Sequence, residues 1–206
     1  MGIRIIGGER KGKKLLPIPG NSIRPTPDRL RETIFNILSR QVCGAFVLDL
    51  FSGSGALGIE ALSRGARKCV FIDNDEKSLG LIRANLKSCG FEERAEVITW
   101  DIAKNLDCIQ QSSPAFSLAF MDPPYDQGFV GRALSNMAKS LCLDPEARVV
   151  VEHSLKEPIA SADPYFQVMR SKRYGKTIVS FLSLSVSGDS GSRTDEDTLT
   201  KMPPER

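Results

Sequence analysis

Phe46-Val47-Leu48-Asp49-Leu50-Phe51-Ser52-Gly53-Ser54-Gly55-Ala56-Leu57-Gly58 decides the fold of this 206-residue chain. The apolar run predicts a buried strand, the glycines a tight turn, and Ala56 to Leu62 a helix. A strand that turns through glycines directly into a helix opens a βα unit of the kind that binds ligands at the carboxyl ends of its strands. Downstream, strands are predicted at 68–73, 95–100, 117–122 and 147–152, separated by helices near 76–89, 102–111 and 129–141. This alternation predicts an α/β, doubly wound, Rossmann-like and mostly parallel sheet. Two last strands, 166–172 and 177–184, flank Arg173-Tyr174-Gly175-Lys176 and predict a C-terminal antiparallel hairpin.

Upstream of the glycine turn, 3–7 and 13–18 read as two short strands of a small β-hairpin joined through Gly7, Gly8 and Gly12. Thr26 can cap a following helix, Pro27 suits its first position, and Asp28 complements the positive end of its dipole. Leu30, Ile34, Ile37 and Leu38 then recur at helical spacing, so a helix is expected to about Arg40 with Arg29 and Arg31 outside its apolar stripe. The expected organisation is a basic extension over residues 1–40, a Rossmann-like domain over 41–184 and a disordered tail over 185–206, where bulky apolar residues nearly vanish.

A chain that is 41% hydrophobic and 26% charged fits one globular domain, and no apolar run approaches the roughly twenty residues of a membrane span. Charges occupy the N-terminus where a signal peptide needs apolar residues, so a cytoplasmic protein without membrane contact is expected. Cys43, Cys69, Cys89, Cys108 and Cys142 form no CxxC pair and His153 is the only histidine, so free thiols, a structural histidine and no metal site are expected. The net charge of +3 is uneven. Residues 1–40 hold nine Lys/Arg against three acids, a net of +6, whereas 186–206 carry −2. A positive field gathered at one end suits a phosphate-backbone partner, although a solvated basic face accounts for the charge equally well.

Gly53, Gly55 and Gly58 fit the spacing of a dinucleotide-binding turn, so a pyrophosphate site is the first reading to test. Asp49 speaks against it. A carboxylate inside the strand end is well placed to face an ammonium group and poorly placed to face a pyrophosphate. Asp73 ends the next strand, 24 residues after Asp49, where an acid takes the hydroxyls of a ribose. Asp101 follows the third, where a carboxylate can accept an adenine amino group while Ile102 lies along the ring. Singly, each acid reads as a surface or capping Asp; three at successive strand ends predict an adenosyl cofactor.

Asp122-Pro123-Pro124-Tyr125 follows the fourth strand. An amino group on an aromatic base is a poor nucleophile because its lone pair is delocalised into the ring. A carboxylate and a main-chain carbonyl accepting its two N–H bonds favour a pyramidal nitrogen and aim the lone pair. Asp122 and the Pro123 carbonyl offer those acceptors, the prolines stiffen the turn, and Tyr125 offers a flat surface to a base lifted from its stack. The bland alternative is a rigid Pro-Pro turn that merely caps a strand.

Taken together, Arg24-Pro25-Thr26-Pro27-Asp28-Arg29-Leu30-Arg31-Glu32, Phe35-Asn36-Ile37-Leu38, Asp49 to Gly55, Asp122 to Tyr125 and Arg173-Tyr174-Gly175 resemble the bacterial 16S rRNA (guanine-N2)-methyltransferases of the RsmD type, over residues 1 to about 184. The resemblance implies methyl transfer from S-adenosyl-L-methionine to the N2 amino group of one guanosine in 16S rRNA of the small ribosomal subunit, the family's guanine 966. It implies that Asp122 and Pro123, backed by Pro124, orient the amine and that Tyr125 stacks on the base. Asp49, Phe51, Gly53 and Gly55 would border the methionine end of the cofactor, Asp73 and Asn74 its ribose, Asp101 and Ile102 its adenine, and Thr26 would close over it. Arg24, Arg29 and Arg31, with Lys11, Lys13 and Lys14, would follow the RNA backbone. A monomer without metal is implied.

Two other readings stay open at this level. A DNA amino-methyltransferase acting on adenine-N6 or cytosine-N4 shares the Asp-Pro-Pro-Tyr motif, but this chain has only a short hairpin and one helix beyond the sheet for reading sequence. A catalytically silent RNA-binding assembly factor could keep the fold; the intact Asp122 and glycine turn argue against it.

Overall fold

The computed structural model describes residues 3–18, 28–159 and 163–185. Arg24, Thr26 and the tail after Ser185 lie outside them. The elements in chain order are helix α1 (Asp28–Leu38), strand β1 (Phe46–Leu50), α2 (Ala56–Ser63), β2 (Lys68–Asp73), α3 (Glu76–Cys89), β3 (Ala95–Thr99), β4 (Phe116–Met121), α4 (Phe129–Lys139), β5 (Leu143–Ser154), β6 (Phe166–Tyr174) and β7 (Thr177–Leu184). They form one seven-stranded sheet in the order β3-β2-β1-β4-β5-β7-β6. β7 alone runs against its neighbours, pairing antiparallel with both β5 and β6. The expected mostly parallel sheet with a terminal hairpin is therefore what forms.

The sheet is apolar on both faces because helices cover both. Alternation within β1 shows the division: Val47 packs with α1, α2, α3 and the N-terminal segment, while Leu48 and Leu50 pack with α4 on the other side. Gly58 lets α2 lie closely on β2. A Cβ there would stand 2.3 Å from the Phe71 ring and 2.6 Å from Cys69 Sγ.

Ile3, Ile5 and Leu15 of the N-terminal segment, and Leu30, Ile34, Phe35 and Leu38 of α1, are buried in the same core as Val47 and Phe71. The N-terminal hairpin is shorter than its pattern predicts. Only Arg4 and Lys14 form a bridge, with flanking bonds from Ile5 N–H to the Lys13 carbonyl and Leu15 N–H to the Ile3 carbonyl. Beyond that point side chains of the domain take the backbone donors. Glu60, wholly buried, accepts the N–H groups of Ile6 and Gly7 at 2.7 and 2.8 Å, and Asn85 accepts that of Leu16 at 2.7 Å.

Two further expectations are corrected. Residues 102–111 form a loop with a single 3₁₀ turn at Asp107–Ile109 instead of a helix. Asp101 accepts the Ala103 N–H and Asn105 that of Asp107, so side chains satisfy donors that a helix would have used. Arg31 does not point to solvent. It is wholly buried, donating to Asp28 Oδ1 at 2.7 Å and to the Arg4 carbonyl at 2.8 Å, while its Nε and Nη1 find no acceptor among the described residues. Burial would push the Asp28 carboxyl up, but Arg31 and Arg4 outweigh it and hold it below the ordinary value. Helix periodicity alone mistook this buried ionic contact for a polar face.

Candidate active site

Strand order reverses between β1 and β4, the place where a crevice opens above a doubly wound sheet. Leu50 pairs in parallel with Met121, so Phe51 and Asp122 leave the sheet side by side. The glycine loop and the Asp-Pro-Pro-Tyr loop thus form the two banks of one cleft.

On the glycine side, Phe51, Gly53 and Gly55 all lie at positive φ, at 56°, 54° and 75°. Such a conformation at the non-glycine Phe51 costs about 1–3 kcal/mol, the sort of strain that persists where surrounding structure holds it for a purpose. Ser52 Oγ fastens the turn, donating to the Asp49 carbonyl at 2.5 Å and accepting from Ile72 N–H at 3.1 Å. Asp73 takes the Gly53 N–H on Oδ2 at 2.9 Å and the Asp75 N–H on Oδ1 at 3.0 Å, tying the loop to the end of β2. Asp75 then caps α3 by accepting the Lys77 and Ser78 N–H groups.

Asp49 is only 2% exposed. Its carboxylate accepts one N–H, from Gly58 at 2.9 Å. Burial drives its pKa up to about 8, which the Gly58 bond opposes and the nearby Asp73 charge reinforces. A buried acid with no cation beside it among the described residues, under a loop of curled backbone, matches a ligand that brings a positive charge of its own. The donor set therefore fits the ammonium end of an adenosylmethionine and does not suit a pyrophosphate.

On the other bank, four side chains from distant sequence hold the motif loop. Tyr125 donates its hydroxyl to Glu152 Oε1 at 2.7 Å and stands 3.2 Å from Thr177 Oγ1. Asp126, at φ 58°, receives the Ser154 hydroxyl. Glu157 accepts the N–H groups of Asp126 at 3.1 Å and of Val130, in the first turn of α4, at 3.3 Å. Burial, together with the Glu152 and Asp122 charges, pushes the Tyr125 phenol upward against the opposing Thr177 bond, so it stays a neutral donor. Tyr125 as a whole residue is nonetheless 40% exposed. Asp122 is half-buried and Pro123 buried. Glu152, Ser154, Glu157 and Thr177 were not anticipated. The legible trace was Glu152 itself, an acid ending the apolar run Val149-Val150-Val151 much as Asp49, Asp73 and Asp122 end theirs.

The remaining expected positions divide. Asp73 and Asn74 sit at the β2 end of the cleft and Asp101 is exposed beyond β3. Ile102 shows only 2% of its surface, packed in the core with Val130 and Leu134 of α4, and Asn136 holds its carbonyl at 2.9 Å. Lys11, Lys13, Lys14 and Arg29 are exposed; Arg31 is wholly buried, turned to Asp28 and the Arg4 carbonyl and away from solvent. The turn bearing Lys11 lies far from the cleft. Glu9 N–H bonds the Ser63 carbonyl at the end of α2, and Arg10 bonds the Cys89 carbonyl at the end of α3. α2 starts at the glycine loop and α3 beside Asp73 at the β2 end of the cleft, and the 14 residues of α3 span about 20 Å. From there the chain climbs back, and Ile18 reaches the loop, within 3.2 Å of where a Cβ on Gly53 would stand.

His153 is satisfied and buried, with Nε2 2.9 Å from Ser180 Oγ and Nδ1 3.2 Å from the Ser154 carbonyl, and burial lowers its pKa. Among the described residues no helix is long and apolar enough to cross a membrane.

The family model described as conserved hypothetical protein 95 matches residues 3–183. The chain is 35% identical over 183 residues to the Ribosomal RNA small subunit methyltransferase D of Haemophilus influenzae, covering 87% of this chain and 91% of that protein. With the protein of the same name from Escherichia coli it shares 33% identity over 192 residues, 91% and 93% of the two chains. The solved structure of the Escherichia coli protein yhhF superposes with a TM-score of 0.77 at 32% identity, covering 89% of this chain and 98% of the other.

Proposed function

The chain belongs to the family of conserved hypothetical protein 95, that of the bacterial small-subunit rRNA methyltransferases D, and from that premise we propose that it methylates the N2 amino group of a guanosine in 16S rRNA. The target is the family's guanine 966. The observation that carries the reading is the pairing of Leu50 with Met121. It brings the buried Asp49 with its glycine loop and the Asp122-to-Tyr125 loop to the two banks of one cleft, which supports reading the first as the cofactor side and the second as the amine side.

S-adenosylmethionine supplies a methyl group activated by a sulfonium charge. Asp49, with the curled backbone of Phe51, Gly53 and Gly55, holds the methionine end; Asp73 and Asn74 take the ribose, and Asp101 the adenine. Asp122 and the Pro123 carbonyl accept the two N–H bonds of the guanine amine and aim its lone pair, while Tyr125 supports the base face. Glu152 and Thr177 hold Tyr125 by its hydroxyl, which leaves the ring free for stacking. Positioning is the main catalytic contribution, because the methylated nitrogen is acidic enough to lose its surplus proton to water without a dedicated base.

The test is mass spectrometry of 16S rRNA from a strain lacking this gene, with and without the gene restored. A single N2-methylguanosine should disappear and return. An unaltered modification map, or loss of a methyl on adenine or cytosine, rejects the guanine assignment.

A further inference from the structure

Arg173-Tyr174-Gly175 belongs to the turn between β6 and β7, and nothing in the reaction above uses it. Ser154 pairs with Thr177, and Thr177 lies against the Tyr125 hydroxyl, so this turn stands at the cleft mouth on the side of the motif loop. Gly175, at φ 62°, permits the reversal, and its carbonyl accepts from Arg173 Nε at 2.9 Å. Lys172, Arg173 and Lys176 are all exposed; alternation along β6 puts Lys172 on the α1 face, near Ile37 and Tyr174, and Arg173 on the other, so the cations ring the tip of the hairpin. Lys156 joins them: Leu155 N–H bonds the Lys176 carbonyl at 3.3 Å, and Lys156 N–H bonds Ser154 Oγ, the hydroxyl that also holds Asp126. None of these four cations takes part in an ion pair among the described residues. β6 is also the edge of the sheet, and among the described residues no further strand takes up the backbone donors on its outer side.

Cations on an edge strand commonly serve to discourage pairing with other chains. That purpose explains Lys172 and Arg173 but not Lys156 and Lys176, which lie off the edge strand, Lys176 next in sequence to the Thr177 that meets the Tyr125 hydroxyl. The lysines at the N-terminal turn, by contrast, sit a helix length from the cleft.

We propose that Lys156, Lys172, Arg173 and Lys176 form the phosphate-binding surface that holds the RNA strand immediately flanking the target nucleotide. The inference rests on the rRNA methyltransferase reading. Unpaired cations with an open strand edge suit successive phosphates, which fix register without reading sequence. The cluster would hold the backbone while Tyr125 receives the displaced base.

The experiment compares the full-length wild type with the variant Lys156→Gln, Lys172→Gln, Arg173→Gln and Lys176→Gln, which keeps the aliphatic stems. Binding of 16S rRNA is measured against salt, and methyl transfer in steady state. Losing four phosphate contacts should flatten the slope of log affinity against log salt by about 3 and raise KM by about tenfold or more, with kcat within about twofold. Cofactor affinity should not move. Lys176→Glu, confined to the exposed turn, should raise KM in the same sense and covers the case in which the fourfold variant misfolds.

A wild type that transfers no methyl to rRNA refutes the methyltransferase reading itself. A wild type that does, beside a variant of unchanged slope and KM, overturns the cluster alone, the more so if replacing Lys11, Lys13 and Lys14 flattens the slope instead. A variant that binds naked rRNA normally but fails on the assembled subunit assigns the surface to a ribosomal protein, and overturns it too.

Discussion

The two loops that bank the cleft are built on opposite plans. The glycine loop is fastened locally, by its own Ser52 and by Asp73 of the adjoining strand, and it leaves a buried acid, Asp49, with no cation beside it among the described residues. The Asp-Pro-Pro-Tyr loop is fastened from afar, by Glu152, Ser154, Glu157 and Thr177, which lie about thirty to fifty residues away in sequence. Each loop holds one non-glycine residue at positive φ, Phe51 in the first and Asp126 in the second. The first therefore resembles a socket completed by a charged ligand. The second is a rigid tool whose pose is set before any ligand arrives.

The sharpest way to separate the plans is at their acids. Asp122→Ala should reduce single-turnover methyl transfer by about 10²–10³, while calorimetric cofactor affinity stays within a few-fold. Lost cofactor binding would mean that the two banks are not independent. Asp49→Asn should do the converse, weakening cofactor binding by about 2–5 kcal/mol.

Asp49 also carries a signed pH effect. Its pKa of about 8 lies above the ordinary 3.8, so its contribution to the stability of the unliganded fold is whole below the ordinary value and drains away as pH rises through 8. Thermal melts of Asp49→Asn without cofactor should lack that decline and gain on wild type toward alkaline pH. Parallel melting curves for the two proteins would show that the burial of this charge has no thermodynamic weight.

Gly58→Ala attacks the packing beneath the socket. Its new methyl meets Phe71 and Cys69, so destabilisation of about 1–3 kcal/mol by denaturant titration is expected. Smallest is Glu157→Ala, which removes the acceptor at the start of α4 and should cost about 0.5–2 kcal/mol. It should lower kcat more than it weakens cofactor binding, and the reverse order would place Glu157 on the cofactor side.

This contrast also explains what sequence reading could reach. The glycine loop was legible because its fastening is local: Asp49, the glycines and Asp73 sit at spacings that a strand-turn-helix unit imposes. The motif was legible as chemistry, yet its supports were not, since only the crossover of β7 between β5 and β6 brings Thr177 to Tyr125. All seven strands were anticipated, although β6, largely polar and exposed, was legible only as the partner of β7 across the Arg173-to-Lys176 turn. The segment 102–111 was misread because Asp101 and Asn105 compete for backbone donors that apolar spacing ignores. Arg31 was misread because a cation buried against a carbonyl and a neighbouring acid obeys no helical stripe.

The wholly buried Glu60 bears on how the chain reaches this fold. Its acceptors for Ile6 and Gly7, like those that Ser63, Asn85 and Cys89 provide for neighbouring residues, enter the chain more than fifty residues after the segment they hold. During synthesis the first eighteen residues must wait, on the order of several seconds, before α2 and α3 exist to receive them. Docking of residues 3–18 is thus a closing event of folding, and trimming them would leave a carboxylate in the core with Arg64 as its one remaining partner among the described residues.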